Sequence, residues 1–134
     1  MFIEKPICAT QNEIIALRQQ AELYNKIIQV GHIERYNPAI MHDLNDLNNI
    51  ESIHAERIGE LNHRNKNSNI TLDLMIHDID LTLALMQSEI INIDAKGTKM
   101  RKKLYDHVEC CIYFTNNTKA KLIASRQPEA KTTR

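Results

Sequence analysis

Apolar residues recur along this chain at two different periods, and each change of period marks an element. Ile14, Leu17, Ala21 and Tyr24 fall at three- and four-residue steps, which puts them on one helical face. Thr10 and Glu13 form a capping-box pair ahead of them, so a helix is predicted from there to about Asn25. Before it, Met1 to Pro6 is an extended piece, because the proline biases Lys5 towards extended backbone. After it, Lys26 to Val30 reads as a short strand closed by Gly31. Asn37 as N-cap and Pro38 at the first helical position start a second helix, to about Leu47, with Ile40, Leu44 and Leu47 as its apolar stripe. Asn48-Asn49 breaks that helix, and Tyr36 reads as a core residue.

Ile50 to Arg57 reads as a strand and Ile58 to Asn69 as a polar loop. Helical spacing returns with Leu72, Met75, Ile76, Ile79 and Leu83, predicting a third helix from about Ile70 to Met86. Glu89 to Ala95 is a strand. Val108, Cys110, Ile112 and Phe114 alternate with mostly polar neighbours, Asn116-Asn117 is a turn, and Lys119 to Ser125 is the return strand with Leu122 and Ala124 inward. Gln127 to Arg134 has no pattern. These elements predict an α+β fold. The first stretch is the tail of an α/β layer, and the rest is part of an antiparallel open sheet with one face covered by the third helix. Open sheet edges are a liability for a free monomer.

Composition narrows the classes of function. At 134 residues the chain is one domain or part of one. A net charge of zero gives no nucleic-acid footprint, which needs clustered basic charge. No apolar run approaches the ~20 residues of a membrane span. Met1 to Thr10 has no apolar stretch of signal-peptide kind. Three cysteines make no disulfide framework, so a cytoplasmic location is expected. The three glycines, Gly31, Gly59 and Gly97, lie far apart, whereas a phosphate-cradling loop needs them close together.

The candidate chemistry sits on the third helix. Asp73 and His77 are four residues apart and share a helical face, and Asp80 extends the polar stripe. An imidazole titrates near working pH, and a carboxylate beside it would hold it still for proton transfer. The plainer reading is a His–Asp pair satisfying itself at the rim of a core. Arg35 and Arg57 are candidates for forked contacts to a substrate carboxylate or phosphate, against a reading as solvated or salt-bridged arginines. A metal site from Asp73, His77 and His54 matches no established zinc spacing, and no metal is assigned.

Four motifs carry a resemblance. They are Glu4-Lys5-Pro6, the run Gly31-His32-Ile33-Glu34-Arg35-Tyr36-Asn37-Pro38, the Asp73-x-x-x-His77 pair, and the closing Ala124-Ser125-Arg126. In order and spacing the chain resembles the glucose–fructose oxidoreductase / inositol dehydrogenase (Gfo/Idh/MocA) family, in particular its nucleotide-sugar dehydrogenase branch. The resemblance implies residues 1–37 as the end of an NAD(P)-binding Rossmann domain. It implies residues 38–134 as part of an antiparallel open-sheet α/β catalytic domain that binds substrate and forms oligomers. It further implies Lys5 beside cofactor and substrate, His77 as the base that takes the hydroxyl proton, and Asp73 as its aid. Arg35, Asn37 and Arg57 are the residues expected to bind substrate. The partners implied are a sugar or nucleotide sugar, a complementary chain carrying the missing parts, and another copy through the sheet. Asn69 departs from the family pattern, which has a small residue there. With no glycine-rich loop, the expectation is a truncated or split NAD(P)-dependent oxidoreductase, inactive alone. The alternative is a non-enzymatic remnant or a small interaction module.

Overall fold

The computed structural model describes residues 1–44, 50–61, 67–100 and 103–127. The predicted Leu47 position and the Asn48-Asn49 break lie outside them. The first part is a strand–helix–strand unit. Strand β1 (Phe2–Glu4) leads to helix α1 (Gln11–Leu23) and then to strand β2 (Gln29–Gly31), which pairs with β1 in parallel. The capping box forms as predicted: Thr10 accepts from the Glu13 backbone, and the Glu13 carboxylate accepts from the Thr10 backbone. A Cβ on Gly31 would lie 2.9 Å from Glu4 Oε2, so the tip of that side chain on the neighbouring strand would have to move aside. A short 3₁₀ turn (Ile33–Tyr36) and helix α2 (Pro38–Leu44) follow, with Asn37 Oδ1 accepting from the Ala39 backbone at 3.2 Å.

The second part is a four-stranded sheet in the order β3-β6-β5-β4. Its strands are β3 (Ser52–Glu60), β4 (Ile90–Thr98), β5 (His107–Phe114) and β6 (Lys119–Gln127). Helix α3 (Ile76–Leu85), entered through a π-turn (Thr71–Met75), packs on one face. The alternation in β5 folds as its pattern predicts, with every second side chain buried. The hairpin β5–β6 and the pair β4–β5 are antiparallel, but β3 pairs with β6 in parallel, so the sheet is mixed. The reason lies in the connection. A helical crossover between β3 and β4 carries the chain back to the end where it started, and two hairpin reversals then leave β6 running with β3.

The sheet also extends beyond the predicted strand. Ile58, Gly59 and Glu60 were expected in a loop, yet they pair with Ser125, Arg126 and Gln127 because β6 continues as their template. The π-turn presses onto that end of β3, and a Cβ on Gly59 would meet Leu74 Cδ1 at 3.1 Å. The core lies between helix and sheet. Ile70, Ala120, Leu122 and Ala124 are fully buried there, with Phe114 and Met75 beside them.

Two regions carry uncovered apolar side chains. Helix α1 buries none of its residues, and Ile14 and Ile15 are about half exposed. Strand β4 is exposed on both faces, Ile91 and Ile93 included. Tyr36, expected in the core, is 65% exposed, because the 3₁₀ turn that carries it buries none of its residues.

Candidate active site

The Asp73 helix begins where Asn69 lets it begin. Asn69 Oδ1 accepts from the Thr71 backbone at 3.0 Å and its carbonyl accepts from the Asp73 backbone at 3.0 Å. The residue that departs from the family pattern therefore works as a helix starter. From this turn Asp73 reaches two cations. Arg126 Nη2 donates to Asp73 Oδ2 at 2.6 Å, and Lys5 Nζ lies 3.7 Å from Oδ1. Lys5 also donates to the Asp73 carbonyl at 2.7 Å, which ties the segment after β1 to the helix across 68 residues of sequence.

His77 sits on the same helix, and the expected carboxylate–imidazole pair does not form: no hydrogen bond joins it to Asp73 among the described residues. Spacing permits the pair, but competition decides against it. A charged hydrogen bond to the Arg126 guanidinium, with the Lys5 ammonium as an ion-pair neighbour, outranks a bond to a neutral ring. Nδ1 of His77 is sealed from solvent and has no partner. Burial lowers the His77 pKa, and the charges of Lys5 and Arg57 lower it further, against a smaller opposing effect of Glu34 and Asp78. His77 is therefore a neutral imidazole at neutral pH. With Nδ1 closed off and no second bond to fix its tautomer, Nε2 is the position left to take or give a proton.

The three residues expected at a substrate are engaged within the protein. Arg35 forks onto Asp80, with Nε and Nη2 each 2.7 Å from an oxygen. Arg57 donates through Nη2 to Asp78 at 2.8 Å and lies 3.7 Å from Glu34. Asn37 donates to Glu34 at 3.3 Å besides capping its helix. These pairs join the 3₁₀ turn and β3 to α3, so the salt-bridged reading of the arginines describes their place. Their hydrogen bonds to Asp78 and Asp80 raise the pKa of both guanidinium groups. Asp78 is 7% exposed, and Arg57→Ala would leave it without the guanidinium it is built around. That change is expected to cost about 3 kcal/mol, seen as a lower midpoint in urea unfolding.

His54 lies exposed on the opposite face of the sheet, away from Asp73 and His77. Reading by spacing overlooked Arg126, Glu34 and Asp78 as members of this cluster. A signal existed for one of them: Arg126 continues the inward alternation of Leu122 and Ala124, which predicts a buried charge.

The model of the GFO/IDH/MocA C-terminal domain matches residues 46–134. The chain belongs to the GFO/IDH/MocA family. This is a family of NAD(P)-dependent sugar oxidoreductases. The chain is 33% identical over 126 residues to UDP-N-acetylglucosamine 3-dehydrogenase of Acidithiobacillus ferrooxidans. A crystal structure of that enzyme superposes with a TM-score of 0.82 at 32% identity, over 93% of this chain and 40% of the enzyme. Myo-inositol 2-dehydrogenase from Lactobacillus plantarum shares the fold, with a TM-score of 0.81 at 18% identity, over 95% of this chain and 44% of that one. The GFO/IDH/MocA chain described here thus spans about 40% of the length of the curated relative it matches. None of its described helices is long and apolar enough to cross a membrane.

Proposed function

We propose that this chain supplies part of the catalytic machinery of an NAD(P)-dependent oxidoreductase acting on a hydroxyl of a sugar or nucleotide sugar. In this reading residues 1–37 end a nucleotide-binding domain and residues 38–134 begin the substrate domain. The observation that carries it is His77: a neutral imidazole with one nitrogen closed off, beside a lysine anchored to the preceding turn of its own helix. His77 Nε2 takes the hydroxyl proton as the carbon is oxidised. The Lys5 ammonium, held by the Asp73 carbonyl, stabilises the negative charge that develops on the oxygen. Bound nicotinamide supplies the hydride acceptor. The residues present fit the reacting end of such a cofactor, where Lys5 would contact it. They do not fit its pyrophosphate, because no two of the three glycines lie close together.

That mismatch supports a requirement for further protein, either more chain or a complementary one, and no turnover by these 134 residues alone. The uncovered apolar faces of α1 and β4 are where such protein would pack, and the exposed face of the sheet is where another copy would. The same uncovered surfaces favour a second reading, an interaction module without activity. The free thiols Cys8, Cys110 and Cys111 suit a reducing cytoplasm. By similarity to the Acidithiobacillus enzyme, UDP-N-acetylglucosamine is the substrate to test first.

The test is a graft of residues 1–134 into that enzyme in place of its matching segment. The graft is expected to oxidise the UDP-sugar with NAD(P), while the 134-residue chain alone does not. A graft that unfolds as cooperatively as its parent yet shows no turnover would overturn the enzyme reading.

A further inference from the structure

Arg126 is the largest fully buried side chain in the described structure, and nothing in the chemistry above uses it. It ends the inward row of β6 and reaches the start of the catalytic helix with both terminal nitrogens. Nη1 donates to the Ser68 carbonyl at 2.7 Å, and Nη2 donates to Ser68 Oγ at 2.9 Å and to Asp73 Oδ2 at 2.6 Å. Its own backbone N–H donates to the Asp106 carbonyl at 2.8 Å, which fixes the strand that carries it, while Nε is buried without a partner. Asp73 in turn stands between this cation and Lys5, with Ser68 Oγ at 3.4 Å from the same oxygen.

We propose that Arg126 is a positioning residue that clamps the Asp73 carboxylate towards Lys5 and away from His77, leaving the imidazole free to carry the proton alone. A carboxylate one helical turn from an imidazole would pair with it if nothing else held it. Here the buried guanidinium holds it, and that pairing is absent. The division of labour follows: Asp73 serves Lys5, and His77 stays neutral and unbonded. This deepens the reading of His77 as the group that receives the hydroxyl proton and rests on it.

The charged groups that face His77 are Lys5 from the segment after β1, Arg57 from β3, Glu34 from the 3₁₀ turn and Asp78 from its own helix. Asp73 is the group the clamp keeps out of that set. Titration of the His77 ring protons by NMR in the 134-residue chain reads the clamp directly, whether or not any turnover occurs. One reading can therefore fail without the other.

In Arg126→Met the freed carboxylate is expected to turn towards the imidazole and raise the His77 pKa by about one unit. Adding Asp73→Asn to that variant is expected to remove the rise. Asp73→Asn alone, with the amide oxygen still held by Arg126, is expected to leave the His77 titration in place. If Arg126 only ties β6 to the loop at Ser68, Arg126→Met lowers the unfolding midpoint while His77 titrates as before, and the proposal is wrong. Should Arg126→Met fail to fold, Asp73→Asn alone decides: an unmoved His77 supports the clamp, and a fall of about one unit shows that Asp73 serves the imidazole directly and overturns it.

Discussion

His77→Asn in the grafted enzyme is expected to cut turnover by about 10²- to 10⁴-fold, the usual worth of a positioned general base. KM for the sugar nucleotide should change far less, because the lost group acts on a proton and not on the bound ring. Steady-state kinetics with both parameters resolved checks this, and equal damage to KM and kcat would count against the assignment. The pH dependence has a definite sign. The folded pKa of His77 lies below its ordinary value, chiefly through burial. Its neutral form therefore persists through neutral pH, and the rate should fall at a lower pH than it would with an ordinary imidazole as the base. The same shift makes a stability contribution that is present above the unfolded imidazole value of about 6.5 and is lost as pH falls below it. In His77→Asn the midpoint of unfolding should depend less on pH across that acid window.

Phe114→Ala is expected to cost about 3–5 kcal/mol, the range for deleting a buried aromatic side chain. Phe114 is 1% exposed and packs where the sheet meets the helix. A domain of ordinary stability holds only about 5–15 kcal/mol in total, so this one change should remove much of the cooperative transition seen by circular dichroism. Ile14→Ala should cost well under half as much, because Ile14 is already 49% exposed on a helix that buries nothing. The contrast predicts an uneven molecule. Amide exchange should be slow in β5 and β6 and fast in α1.

Much of this architecture could be read from spacing. The capping box at Thr10, the alternation of Val108 to Phe114 and the inward Leu122 and Ala124 are local signals, and each folded as local physics dictates. The parallel pairing of β3 with β6 is not local. It depends on a crossover whose direction no short window encodes, and the extension of β3 through Glu60 depends on the same distant partner. Tyr36 misled for a related reason: aromatic character invites a core assignment, but the turn joins α3 through Arg35 and leaves the Tyr36 ring exposed.

The site divides in the same way. The family resemblance brought Lys5, Asp73 and His77 together, and Lys5 does bond the Asp73 segment. Spacing alone put Asp73 against His77, and it could not weigh a competing guanidinium 53 residues further along. Arg35, Asn37 and Arg57 were expected at a substrate. Their occupation by Asp80, Glu34 and Asp78 needed the packing of three elements to be seen.

The neighbouring thiols of β5 have a practical meaning. Cys110 faces the core, where burial raises its pKa, and Cys111 points to the open side of the sheet. One is a masked nucleophile and the other an available one, on consecutive residues of a single strand. The strand is thus a built-in opening gauge. An alkylating reagent reaches the half-buried Cys111 ahead of the buried Cys110, whose labelling rises as the sheet comes apart, and mass spectrometry reports the ratio.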